Sequence, residues 1–425
     1  MRDKLSSELY RAVGVPSYSG TYARLMINND IWGLYSIVDT IGGKWIASTI
    51  HGNEDARVGF NYKMYSSVPN GPFASLRYLG DDPDKYLYSG SYEVDEIDKD
   101  DTQATNDFYR LSQFTKMFEN WTKTYANDQS DAAITALEQF FNLESLLRQL
   151  VIEALTLAYD NFWAQTGNFA LYYNPEREQY QIIPYDFDGT FYGSNGSPYY
   201  ASNYISDCIS WADNTAPDKY FVSNLFKHQQ VKDRYKQIMD KTVKNLFNVD
   251  SVSPFIDSVS QLIRDDVKWN FELIDKLDNN IQGHTNHFTI TEFDGNTNYK
   301  MVDYNPTKNY NDAHYGIKQW IKTRGDYCAA YSDGASVGEV VPTQKPIKNS
   351  ATVEKVKTNK PVATTTTTTT TKPRKTTTTT TKPRRTTTTR RSYSYKSTTT
   401  TTRVRITKKV TVKKVVTVTK YNVKN

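Results

Sequence analysis

Cysteine is almost absent. The 425 residues include two, Cys208 and Cys328. Two thiols make neither a disulfide framework nor a metal cluster, and they stand either as one bridge or as two buried thiols. Histidine is scarce as well, with five copies. His284 and His287 lie three apart in a polar stretch and lack the further ligands a zinc site needs. No apolar run is long enough to span a membrane. Met1-Arg2-Asp3-Lys4 leads straight into an amphipathic helix, with none of the apolar core of a signal peptide. GxGxxG and Walker-type loops are missing too, since Gly42-Gly43-Lys44 is too short to serve. Acidic residues run out near the C-terminus: residues 342–425 carry 22 of the 52 Lys and Arg against one acid, Glu354. That stretch is about +21 and residues 1–341 are about −16, although the whole chain is +5. The basic balance is a property of the tail, and nucleic-acid binding does not follow from it.

The remaining sequence divides in two. Residues 336–425 are Thr runs broken by Lys, Arg and Pro, a low-complexity composition that buries no core and suits a disordered, O-glycosylated stalk. Residues 1–335 carry periodic apolar patterns. Helices are expected over Arg2–Gly14, Gly43–Ile50, Asp107–Asn127, Ser130–Tyr159 with a break near Asn142, Tyr220–Leu277 and His314–Ala330. Strands are expected at Tyr22–Asn28, Ile31–Val38 and Phe60–Tyr65, with a small β element at Asn286–Met301. Leu76–Glu96 reads as tyrosine-rich and acidic, ending in a charged loop. Strands and helices do not alternate regularly, which points to an α+β fold and away from a doubly wound sheet.

Chemistry concentrates between Asp160 and Tyr192. Two strand-like runs, Asn168–Tyr173 and Gln179–Pro184, flank a polar turn and predict a β-hairpin. Folding back brings its ends together, so that Asp160 and Asp186 share one cleft. Burying a carboxylate is costly unless it is paired or metal-bound. Asp186 and Asp188 are two apart and share a face if the strand continues, and Gly189 admits close approach. The order of carboxylate, amide, hairpin and carboxylates (Asp160, Asn168, Asp186, Asp188) matches the parts a protein kinase uses to orient a hydroxyl and hold Mg²⁺.

Seven segments, in order, resemble the CotH kinase family of atypical kinases, related to spore coat protein H. They are Met1–Leu5 with Glu8-Leu9 and Gly14-Val15-Pro16; Arg24–Asn28 with Gly33-Leu34-Tyr35; Tyr62-Lys63; Ser91-Tyr92-Glu93; Asp160 with Asn168–Tyr172; Pro184–Phe191; and Gly316–Ile321 with Arg324. The resemblance implies a kinase-like fold over 1–335, with a small β-rich lobe over about 1–105 and a larger helical lobe over about 106–335. It implies phosphoryl transfer from ATP to a protein Ser or Thr. Asp160 would be the catalytic carboxylate. Asp186, Asp188 and Asn168 would hold Mg²⁺ or Mn²⁺, and Lys63 would contact the nucleotide, with Arg24 its rival. Family members carry strands before the opening helix, so a truncated start is expected, and Asp39 stands where Glu is frequent.

Other readings are carried forward beside this one. Trp163 and Tyr185 either line an adenine pocket or belong to the core. Asp265 and Asp266 read as a solvated helix face. The Asp-Phe-Asp-Gly-Thr letters also fit a DxDGT phosphatase, although helices rather than alternating strands follow. A DxD glycosyltransferase is a similarly distant reading. The Thr-rich tail and tyrosine-rich body fit a non-catalytic adhesion module. Secretion or surface display, with coat or wall proteins as acceptors, is expected from the tail, and a cytoplasmic home is the alternative.

Overall fold

A buried helix and the buried hairpin that follows it organise the body. The computed structural model describes residues 1–28, 30–67, 69–191, 205–213, 215–274, 289–299 and 315–335. In chain order these form α1 (Arg2–Ala12), β1 (Gly20–Ile27), β2 (Asp30–Val38), α2 (Gly43–Ile50), β3 (Asn61–Met64), α3 (Pro83–Leu87) and β4 (Tyr92–Glu96). Next come α4 (Tyr109–Thr124), α5 (Asp131–Glu138), α6 (Leu143–Thr156), α7 (Phe162–Gln165), β5 (Phe169–Asn174) and β6 (Gln179–Pro184). The last described elements are α8 (Tyr220–Leu225), α9 (Gln229–Asn245), α10 (Val249–Ile274), α11 (Ile290–Asn296) and α12 (Ile317–Ser332).

The expected break near Asn142 is an N-cap. Asn142 accepts a bond from Ser145 N at 3.1 Å and starts α6. Apart from Arg148, every residue of α6 is buried. Removing one of its leucines, such as the fully buried Leu150, would cost about 2–5 kcal/mol. Both faces of β5 and β6 are covered, and the buried Gln179 and Gln181 interrupt an otherwise apolar β6. Asn174 starts the hairpin turn by accepting the N–H groups of Glu176 and Arg177.

The main sheet is antiparallel, in the order β4-β3-β5-β6. Its β3–β5 pairing joins the two stretches expected to form separate lobes. β1 and β2 make a second, two-stranded sheet. The α+β class holds. Two local expectations do not. Tyr92–Glu96, taken for a charged loop, is a strand edged onto β3, with Tyr92 buried and Glu93 exposed. Within Asn286–Met301 the described residues hold helix α11, nucleated by a capping box between Thr289 and Glu292.

Cys208 and Cys328 form a disulfide, with Cα atoms 5.7 Å apart. The bridge ties α12 to the segment after the hairpin and closes a span of 120 residues. Among the described residues no helix is long and apolar enough to cross a membrane. The Thr-rich tail, His284 and His287 lie outside the described residues.

Candidate functional site

Asp160 sits just past the C-terminus of α6, where the chain turns sharply. Leu157 adopts a left-handed conformation, φ 45°, to end the helix. The exposed carbonyls of the last turn would be unsatisfied. Arg324, fully buried on α12, donates to Ala154 O from Nε (3.0 Å) and Nη2 (2.8 Å) and from Nη1 to Ile205 O. Trp320 Nε1 donates to Leu155 O at 3.0 Å. A buried cation at the negative end of a helix also complements its dipole. Glu153 steadies the next turn by accepting Trp163 N at 2.7 Å and Gln149 Nε2 at 2.8 Å. Complete burial pushes Glu153 up to about 7.

The Asp186–Thr190 loop approaches from the other end of the hairpin. Tyr185 N donates to Asn168 O at 3.0 Å, which closes the mouth. Asn161 Nδ2 reaches across to Tyr185 O (2.9 Å) and Asn168 O (3.3 Å). Asp186 takes a left-handed conformation, φ 57°, which is uncommon outside glycine. Gly189 lies against Asp160, and a Cβ there would stand 3.0 Å from Asp160 Oδ2. The sequence called for a glycine permitting close approach, and the neighbour it admits is the first carboxylate.

Helix α1 clamps this loop. Asp3 Oδ1 accepts Phe187 N at 3.2 Å and also the Tyr18 hydroxyl. Ser6 Oγ and Thr190 Oγ1 are 2.9 Å apart. The Phe187 ring stacks with Tyr10 (centroids 4.6 Å) and Tyr18 (5.2 Å). Asp3 and Tyr18 therefore belong to the site. Sequence reasoning missed both, because Asp3 reads as an ordinary first-turn acid.

A cavity of about 570 Å³ lies before the loop, lined among others by Asp3, Tyr18, Asp39, Lys63, Asp186 and Asp188. Lys63 is paired with Asp95 on β4, which also accepts Asn61 Nδ2 at 2.9 Å. A cross-strand partner of this kind leaves no spacing signal. Asp39 lines the same cavity, but its carboxylate accepts Ser19 N at 3.1 Å. Arg24, the rival cation, is drawn away to Asp266 and lies over Trp269 on α10. Asp266 is accordingly an ion-pair partner and not simply a solvated face. Of the two aromatics, Tyr185 lines the cavity. Trp163 packs in the core against Trp211 and Tyr235.

The carboxylates repel one another. Burial first, then Asp188 and Asp186, push Asp160 up to about 6. Burial, Asp188 and Asp3 also raise Asp186, partly offset by a hydrogen bond from Asp188 N. Such paired shifts in a cleft mark a place where added positive charge is stabilising. Among the described residues no three His, Cys, Asp or Glu side chains form a ready cage for an ion. Mg²⁺ takes one or two carboxylates and fills its shell with water and phosphate oxygens. Asp186 and Asp188 suit this donor set. Asn168 stands at the hairpin mouth in a left-handed conformation, φ 50°. Its carbonyl is engaged, and its side chain is not among the groups lining the cavity.

Fold and cleft together define a mixed α/β domain whose acidic site is assembled from the two ends of one hairpin. A family model described as CotH kinase protein matches residues 1–328, and the chain belongs to that family. It is 24% identical to Invasin CotH3 of Rhizopus delemar over 280 residues, which are 64% of this chain and 43% of that protein. It is 22% identical to Spore coat protein homolog 1 of the same fungus over 350 residues, 80% and 52% of the two chains. Inner spore coat protein H of Bacillus subtilis is 22% identical over 265 residues, 62% of this chain and 64% of that one. The chain spans about half the length of the Rhizopus relatives it matches.

Proposed function

We propose that the acidic cleft binds ATP with Mg²⁺ or Mn²⁺ and transfers the γ-phosphoryl group to a Ser or Thr hydroxyl of a protein. The observation that carries this is the convergence of Asp160, Asp186 and Asp188 about Gly189, with Asp160 pushed up to about 6. Asp160 orients the acceptor hydroxyl and takes its proton as the hydroxyl oxygen bonds to phosphorus. The bond from phosphorus to the bridging oxygen breaks, and ADP leaves. A base with its value near 6 is ionised at neutral pH and still basic enough to help. Lys63, held by Asp95 on the cavity wall, faces the nucleotide phosphates. Asp186 and Asp188 would hold the metal, whose charge would offset that of the phosphates. The kinase-like arrangement of two lobes belongs to this same reading.

A surface location accompanies the proposal. Relatives are named spore coat proteins and invasins, and a disulfide suits an oxidising compartment. Coat or wall proteins are then the natural acceptors. The test is incubation of the full chain with γ-labelled ATP, Mg²⁺ and dephosphorylated casein. Label on Ser or Thr that Asp160→Asn reduces by about 10² or more is the expected result. A folded chain that labels neither casein nor itself would overturn it. The second reading is a non-catalytic adhesion or interaction protein. It is favoured by the exposed Met26, Trp32 and Tyr35 on the β1–β2 hairpin and by the invasin names.

A further inference from the structure

The β5–β6 hairpin has a second functional-looking end. At its turn, about 17 Å along β5 from the acidic mouth by strand rise, a cavity of about 620 Å³ opens between the loop before α4, the start of α4 and the hairpin turn. That volume lies within the range of small-molecule sites, about 300–1,000 Å³.

Its two arginines already have carboxylate partners, and Asp100 and Glu178 add further negative charge to the lining. Arg110 makes a bidentate pair with Asp101, and its Nη2 also donates to Gln103 Oε1 at 3.2 Å. Arg57 makes a bidentate pair with the buried Asp98. Neither arginine is left over for an anionic ligand. The Arg110 guanidinium lies over two aromatic rings, 4.1 Å from the Tyr173 centroid and 5.3 Å from that of Tyr109. The result is a rigid wall of flat surfaces that tolerates contact with C–H groups. Facing the same space, the amides of Gln113 and Gln139, the Tyr109 phenol and the Asp100 carboxylate make no hydrogen bond among the described residues. Together they offer donors and acceptors in several directions.

Flat apolar faces beside uncommitted amides and hydroxyls, with the cations neutralised, select a ligand that is uncharged, rich in hydroxyls and amphipathic. We infer that this cavity is a binding site for a neutral oligosaccharide, with sugar rings lying on the Tyr109 wall and hydroxyls bonded by Gln113, Gln139 and Asp100. The site is independent of the phosphoryl-transfer reading and stands if that reading fails. Through it, a surface protein would be held on a glycan matrix while its acidic mouth stays free.

The test is calorimetric titration of the full chain with chitotetraose, laminaritetraose and mannotetraose, with a Lys/Arg-rich peptide as the competing class. Binding of at least one sugar is expected, weakened roughly tenfold or more by Tyr109→Ala and by Gln113→Ala. Asp186→Ala, at the other end of the hairpin, leaves that affinity unchanged. Failure of all three sugars to bind would overturn the inference. So would sugar binding that survives both variants, or binding of the peptide in preference to the sugars.

Discussion

The two ends of the β5–β6 hairpin are built on opposite electrostatic plans. At the mouth, carboxylates from α1, the α6 exit and the Asp186 loop crowd together, and the ionisation of Asp160 and Asp186 is opposed. At the turn, each arginine has a carboxylate clamped to it. The same pair of buried strands supports both, so the strands themselves do not explain the difference. Folding alone favours the neutral arrangement, since uncompensated buried charge is destabilising. On the proposed reading, the acidic mouth is a site whose charge a bound metal and phosphate would complete.

The comparison can be broken in graded ways. Arg324→Leu should do the most damage, because it strips the carbonyls at the α6 exit of their donors in a fully buried place. A loss on the order of 3 kcal/mol or more is expected in denaturant unfolding. Asp160→Asn should act in the opposite direction. Burial and neighbouring acids raise the Asp160 value from 3.8 to about 6. Ionising it therefore costs more in the folded chain than in the unfolded one. The penalty is absent below about pH 3.8 and grows as pH rises to about 6. Stability of the ligand-free variant should exceed that of the parent by on the order of 2 kcal/mol at pH 8. At pH 3.5 the two should match, and a variant no more stable at pH 8 would show that the mouth is not electrostatically frustrated. Gly189→Ala places a methyl group 3.0 Å from Asp160 Oδ2, and a loss of about 1–2 kcal/mol is expected by thermal unfolding. At the turn, Gln113→Ala should stay within about 0.5 kcal/mol, because its side chain has no hydrogen-bond partner to lose among the described residues.

The same contrast governs what the sequence disclosed. Buried, continuous strands with an Asn-led turn between them are legible, and β5 and β6 lie within a residue of their expected limits. The break at Asn142 was legible because a capping side chain leaves a local signature. Asp160, Asp186 and Asp188 were visible as misfits in an apolar stretch. Partnerships across elements were not. Asp95 serves Lys63 from a neighbouring strand with one buried residue, Tyr92, so it looked like an acidic loop. Asp3 is distant in sequence from the loop it holds by 184 residues. The capping box at Thr289 was a readable signal that the β-prone residues around it obscured. Nothing in the spacing of Arg57, Asp98, Asp101 and Arg110 announced these two ion pairs, since such matching exists only once the chain has folded.

The central claim is that the acidic mouth is incomplete without a cation and a phosphate ligand. It is tested most directly by calorimetric titration of the full chain with ATP, with and without Mg²⁺, beside Asp186→Ala. The account predicts binding that requires Mg²⁺ and is lost in the variant. Equal binding with and without Mg²⁺, or equal binding by the variant, would contradict it, as would no binding by a well-folded chain.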